Sequence, residues 1–599
     1  MRARVWVMIL VMQGLLLAWT ADSEIVRSVY LLCYSLMMPT VLYLLVGGAL
    51  RRLLQLDTRE WLFGYAVLTA TLPIVGFGGL RFLLPGMGYL AYSAPTQPQW
   101  SAYLPALASL PVLHDDIAIE GFFKGRSAVP WVAWAIPIAF WSTYLLLLHG
   151  LWLGLAAALH QHWIREERLT FPIAALPLEL SESQFALLRQ PLFWLGVAVP
   201  AVLQSLLVLH EWYPTIPAIQ LKVADYKDQL FPSPPWNTIP SLGVSFYPMA
   251  AGLAYLMPRS ISFSCLAFWV LIRLAYPLAT FLGMAAAGQG AGRFPYPLEQ
   301  SAGAWLMSAG LVLWAARKRL PTSIFACLLL AAALLWGIGL PPGMALLSVL
   351  GYAGYVLAGA RARAEAGGVW IFSPLTWTPG RVAFELSGAP RLEPRSLAAF
   401  GLSDLVHIDI RGQSLPYLME ALKLTDAQGI RWQTLLRAVA VFSVTALVFG
   451  WCFSLPHFYE LGASTAKSNA YIVTKTQIGM KEMHQLASRT PGFDRAGLGG
   501  MTFGALFVAL LTLLRLRFVG FPLHPVGYIL GTTLTMNAFF LPTLVAWLAK
   551  TLVLRYGGSV AHRKSIGLFI GLTLGDIGIQ TFWTLFCRVC DLPLYQFLT

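Results

Sequence analysis

Apolar runs of about twenty residues recur from one end of this chain to the other, each long enough to cross a hydrocarbon layer about 30 Å thick as a helix. Lipid offers no water to backbone amides, so a crossing segment must satisfy its own hydrogen bonds. The chain therefore reads as all-α, a polytopic transmembrane helix bundle with about 13–16 crossings, several of them broken or re-entrant. Candidate spans are 5–21, 26–50, 60–84, 128–160, 191–210, 239–257, 260–286, 300–316, 321–340, 342–360, 432–455, 499–516, 524–541, 542–556 and 565–587. Composition agrees: 57% of the 599 residues are hydrophobic and 11% charged, where soluble domains carry about a quarter charged residues.

The formal charge of +14 is read as topology and not as a nucleic-acid footprint, because basic residues of membrane proteins gather in cytoplasmic connections. Arg51, Arg52 and Arg59, Arg165 and Arg168, Arg259, Arg317 to Arg319, Arg361 and Arg363, Arg515 and Arg517, and Arg563 with Lys564 all fall on one side if the N-terminus is cytoplasmic. The expected location is the inner (plasma) membrane. Lys467, Lys475, Lys481, Arg489 and Arg495, in 456–498, come out on the far side. The basic first residues and the apolar stretch after them have the form of a secretory signal, read here as an uncleaved first helix because everything downstream is also membrane. Residues 361–431 are mixed polar and are expected to form a cytoplasmic connector between an N-terminal membrane block, 1–360, and a C-terminal one, 432–599. Residues 463–488 read as an amphipathic helix outside the membrane.

Three stretches are too rich in glycine and proline for regular helices. Gly76, Gly78 and Gly79 interrupt the third span, Pro240 and Pro248 lie in the proline-rich 232–248, and Pro522, Pro525 and Pro542 punctuate 521–542. Transporters place substrate sites at such breaks, where half-helix ends present partial charge. Proline-kinked packing between helices accounts for the same pattern without a site.

Ionisable groups inside spans are costly and therefore informative. Asp576 stands midway along the last span with Gln580 one turn on, a candidate proton, ion or substrate contact, or else an acceptor for a neighbouring helix. Asn537 lies in a polar run, while Glu299 and Gln300 open a helix whose N-terminus favours a carboxylate. His114, Asp115, Asp116 and Glu120 form the one cluster with an enzyme's acid and base groups, but Asp116, Glu120 and Lys124 share a helical face, as on a solvated helix. His162 and Glu166 are too few for a zinc site, Cys587 and Cys590 form one isolated pair, and no nucleophile or phosphate-binding motif stands in context. No cofactor, metal or catalytic residue is expected.

The stretch from Trp163 to Glu179, with Glu167, Arg168, Phe171 and Pro172, resembles a prokaryotic family of multi-pass membrane proteins of unknown function. So do Gly243 to Pro248, Gly252 to Leu256, Glu299 to Gly303, Gly520 to Gly527, and Leu554 to Gly558 with Gly575 and Asp576. The linker ending Arg168-Leu-Thr-Phe-Pro172 is similar to a helix entry of the oligopeptide transporter superfamily, which implies a many-helix, proton-coupled secondary carrier. The Asn-Pro-Gly-Pro-Phe signature of the peptide-carrying branch is missing. The expected function is a secondary transporter of a small solute, with a site bounded by 73–88, 232–248 and 521–542 and Asp576 as the coupling charge. The alternative is a membrane-embedded enzyme or envelope-assembly factor. The expected partners are the bilayer and the solute, not nucleic acid, and a homo-oligomer stays open.

Overall fold

The computed structural model describes residues 2–26, 54–182, 186–284, 293–368, 371–374, 376–489, 491–593 and 595. The candidate span 26–50 lies outside them, apart from Val26. The protein is an all-α bundle. Among the described residues, nine helical stretches are long and apolar enough to cross a membrane. In chain order, the helices that matter below are α1 (Ala3–Ile25), α2 (Thr58–Thr71), α3 (Leu80–Ser93), α4 (Trp131–Gln161), α5 (Pro191–Trp212), α6 (Pro248–Leu256), α7 (Arg259–Phe281), α8 (Pro297–Ala316) and α9 (Thr322–Gly337). They continue with α10 (Pro342–Ala366), α11 (Pro394–His407), α12 (Ser414–Ala427), α13 (Trp432–Leu461), α14 (Ala470–Ala487), α15 (Arg495–Arg517), α16 (Pro525–Gly531), α17 (Leu534–Leu552) and α18 (Gly558–Cys590).

The outward faces are apolar. Leu192, Leu195 and Val199 on α5, Val441, Val444 and Val448 on α13, and Leu506, Leu510 and Leu513 on α15 are exposed at helical spacing. Such stripes are unfavourable in water and suit a lipid surround. Arg165, Arg319 and Arg361 meet at one end of the bundle, pairing with Asp426, Glu166 and Glu167. Arg259 and Arg515 line a groove at that end.

The helices do not group in space by sequence half. One group sets α13 against α1, α2 and α4. The other sets α5 and α6 against α18, α8 against α15, and α7 against α16 and α17. Helix α10 touches both, through α12 on one side and α8 and α16 on the other. Residues 361–431 differ most from a polar connector. From Leu397 to Leu422 every residue but Arg411 is buried, because α11 and α12 pack along α3 and α2 inside the bundle. Their charged side chains made the stretch look solvated, whereas their charge partners lie on other helices. Residues 239–257, expected as one span, are an extended run to Tyr247 followed by the short α6. The amphipathic helix expected at 463–488 is α14, with Ile472, Val473, Met480 and Met483 buried.

Helix contacts in lipid gain nothing from excluding water, so close approach over small residues matters most. On α18, Gly571 lies against α5, where an added Cβ would stand 2.2 Å from the Phe193 carbonyl oxygen. On α8, a Cβ at Gly303 would stand 1.8 Å from the Met501 carbonyl oxygen of α15. Gly310, on the same helix, has nothing within 4 Å. Gly303→Ala should therefore force α8 and α15 apart and cost about 1–3 kcal/mol as overpacking, outweighing a helix-propensity gain of about 1 kcal/mol. Thermal unfolding in detergent should show a lowered midpoint for Gly303→Ala and none for Gly310→Ala; equal midpoints would deny that this contact limits stability.

Candidate functional site: a crossing of interrupted helices

Two helices of the interior are interrupted, and their interruptions meet. Between α2 and α3, a 3-10 turn with Pro73 near its start runs from Leu72 to Val75, and Gly78, with φ +77, turns the chain into α3. Between α11 and α12 the break runs from Ile408 to Gln413. Because α2 packs on α12 and α3 on α11, the pairs run antiparallel and the breaks coincide. Both need glycine: a Cβ at Gly78 would lie 1.9 Å from the Asp409 carbonyl oxygen, and one at Gly412 would lie 1.8 Å from that of Phe77. The Gln413 side chain donates to the Gly78 carbonyl at 2.5 Å and accepts from the Trp152 indole at 3.2 Å. The backbone groups freed by unwinding thus find partners in the opposing break.

Charge is enclosed at this crossing. The Arg411 guanidinium donates to both Asp409 oxygens, with Nη2 2.5 Å from Oδ2 and Nε 2.9 Å from Oδ1. One turn away, Arg81 Nε donates to Glu24 Oε2 at 2.8 Å and Nη1 to Ser454 Oγ at 2.5 Å. The Arg81 and Glu24 side chains are both 0% exposed. Among the described residues, Glu24 Oε1 and Arg81 Nη2 have no hydrogen-bond partner.

The other two interrupted stretches, 232–248 and 521–542, come together elsewhere. Asn537 Oδ1 accepts from the Gly243 amide and the Ser241 hydroxyl, each at 3.2 Å, and from Arg273 at 2.8 Å. Pro542 has no N–H to give the Ala538 carbonyl, which instead accepts from Ser245 Oγ at 2.5 Å. Helix α17 bends just there, with Phe539 at φ −117 and ψ 15. Pro240 lies in the extended run, Pro248 and Pro525 start α6 and α16, and Pro522 precedes α16, accepting from Ser264 at 3.3 Å. Asp576 holds the start of α6: Oδ2 accepts from the Met249 amide at 3.0 Å, and Oδ1 from Gln204 and Gln580 at 2.8 Å each. The stretch 73–88 does not join this second site. Phe372 bridges the two, donating its amide to Thr535 at 2.9 Å and lying under the Arg411 guanidinium at 4.5 Å.

Glu299 and Gln300 are fixed within the helix ends. Glu299 Oε1 accepts from Arg293 Nη2 at 2.6 Å, and Gln300 Oε1 accepts from Tyr528 of α16, also at 2.6 Å. The Glu167 to Pro172 stretch docks on the end of α10. Arg168 and Phe171 take positive φ, the Phe171 amide donates to Ala364 at 2.8 Å, Pro172 abuts Gly367, and Glu167 pairs with Arg361 at 2.5 Å. Beside it, Arg361, Glu365, Arg515 and His524 line a cavity of about 380 Å³. His524 caps the start of α16. Its Nδ1 accepts from the Val526 amide at 3.2 Å, leaving the proton on Nε2, which faces Glu365 at 3.3 Å. The His114 cluster does not converge: Asp115 caps the helix Asp116–Lys124, and Glu120 pairs with Lys124 on its exposed face. No group of three metal-ligating side chains occurs among the described residues.

Sequence reasoning passed over Glu24, Arg81, Asp409 and Arg411. Arg81 was the available signal, the one charge inside the candidate span 60–84 besides Glu60 at its first position. Arg411→Ala should strand Asp409, whose side chain is 9% exposed, without its counter-ion and cost about 3–5 kcal/mol. Replacing both, as Asp409→Asn with Arg411→Gln, should cost less. Unfolding of the two variants in detergent, side by side, checks the order, and a double variant that is the less stable would contradict it.

None of the curated proteins matches the chain. The fold carries its interrupted helices and charges through both parts of the sequence, and the family model likewise covers it nearly end to end. The match runs over residues 1–324 and 321–599, so the chain belongs to the family described as a family of unknown function, DUF6785.

Proposed function

We propose that this protein is a secondary carrier that moves a small solute across the membrane, coupled to protons and similar in kind to the oligopeptide transporter superfamily. The observation that carries the reading is the crossing of two interrupted helices, 72–79 over 408–413, around the buried charges of Asp409, Arg411, Glu24 and Arg81. Regular helices would pack the same interior at less cost, and unwound backbone beside buried charge is what carriers use to hold a solute between alternating faces. The second meeting of broken segments, around Asn537 and Arg273, supports the same reading. The Arg168-Leu-Thr-Phe-Pro172 entry adds the family likeness. Asp576 serves the carrier by fixing the start of α6 through three donors. An enzyme reading rests on the His114 cluster, of which Asp115 is taken up in a helix cap and Glu120 in a surface ion pair.

The test is a thermal-shift screen of the purified protein against peptides, metal chelates, amino acids and sugars at two pH values, followed by uptake into vesicles under a pH gradient. A solute at about a hundred times its Kd should stabilise the protein by about 2.7 kcal/mol. Asp576→Asn should weaken or abolish uptake of that solute while the protein still folds in the membrane. Silence across the panel together with gradient-independent vesicles would overturn the carrier reading.

A further inference from the structure

We infer that Glu24 is the group that takes up and releases the coupled proton, and that its protonation frees Arg81 for an anionic group of the solute. The inference rests on the carrier reading above. It starts from a difference between the two ion pairs at the crossing, Asp409 with Arg411 and Glu24 with Arg81. Asp409 engages Arg411 through both oxygens. Glu420 does the same with Arg363, at 2.6 and 3.2 Å. Asp576 has three donors over its two oxygens. Glu24 is held through Oε2 alone, while its Oε1 and the Arg81 Nη2 are buried without a partner among the described residues.

A bare carboxylate oxygen in an apolar interior is costly, and the cost falls when the group takes a proton. The groups that face Glu24 are Arg81 of α3, Ser454 of α13 reached through Arg81, and Arg411 and Asp409 from the break between α11 and α12. Lys475 of α14 acts on Asp409 in turn. With Glu24 charged, Arg81 has its counter-ion and the enclosure is neutral. When Glu24 becomes a carboxylic acid, the proton comes from solvent and no other bond changes. Among the described residues, Arg81 is then a buried cation held by Ser454 alone, with one amino group already bare. An anionic group of the solute that reaches the bare Arg81 Nη2 neutralises it. Proton and anion therefore bind together, and neither is stable in the enclosure alone.

Infrared difference spectroscopy of the purified full chain, titrated across the neutral pH range, reads the proton directly. The wild type should gain a carboxylic-acid carbonyl band as pH falls, and Glu24→Gln should lose the Glu24 component of it. Arg81→Gln, which removes the cation that favours the charged form, should keep the band to higher pH. The Arg81 variant also guards against Glu24→Gln failing to fold. An unchanged band in Glu24→Gln, or an unmoved one in Arg81→Gln, overturns the assignment. Uptake separates the two claims. A band lost in Glu24→Gln with no solute carried by the wild type leaves the proton site and removes the carrier. Uptake that follows the pH gradient equally in wild type and Glu24→Gln leaves the carrier and removes the proton site.

Discussion

The constraint on which this structure depends is that no backbone group may be left bare inside a lipid-embedded bundle. Each interruption is therefore locked by another. The break at 72–79 is closed by the break at 408–413, through Gln413 and through glycines that let Gly78 and Gly412 meet opposing backbone. The carbonyl freed by Pro542 is taken by Ser245 from an extended run that is itself held by Asn537. A single interruption of this kind would be a defect. In pairs the breaks become fixed, and they carry side chains into places a continuous helix would have filled with its own turns.

Buried charge follows the same logic of pairing. Glu24 with Arg81, Arg363 with Glu420, and Asp409 with Arg411 all lie inside the protein. The first two join residues 57 positions apart in sequence, on different helices. Breaking such a pair is far costlier than keeping it, although a well-packed apolar pair would serve stability as well or better. Their presence thus argues for a purpose other than stability, and two of the three, Glu24 with Arg81 and Asp409 with Arg411, lie at the crossing of the breaks.

Much of the fold was legible because lipid imposes one rule on every span. The helices near 128–160, 191–210, 342–360 and 499–516 appear within a few residues of their expected ends as α4, α5, α10 and α15. Asn537 and Asp576 were legible as polar groups that apolar runs had to accommodate, and both are fully engaged by other helices. What escaped was anything defined by distant partners. Residues 394–427 carry enough charge to resemble a loop, and only the positions of Arg363, Phe77 and Gly78 show that the charges and glycines face inward. Glu24 sits at a span end, where a carboxylate is unremarkable until Arg81 is placed beside it.

The two break sites are not independent, and the link is a short segment with no regular structure. Phe372 lies between α10 and the helix Pro379–Leu386, gives its amide to Thr535 at the turn of the second site, and lays its ring under Arg411 of the first. Arg411 in turn is bound to Asp409, within electrostatic reach of Glu24. A change of charge at Glu24 is therefore felt by Arg411, and a shift of Arg411 is felt through an aromatic face by the segment that holds Thr535. Coupling between sites needs an element both can bias. Residues 371–374, which lie outside any helix and through Phe372 touch both sites, are the part of the structure best placed to be that element.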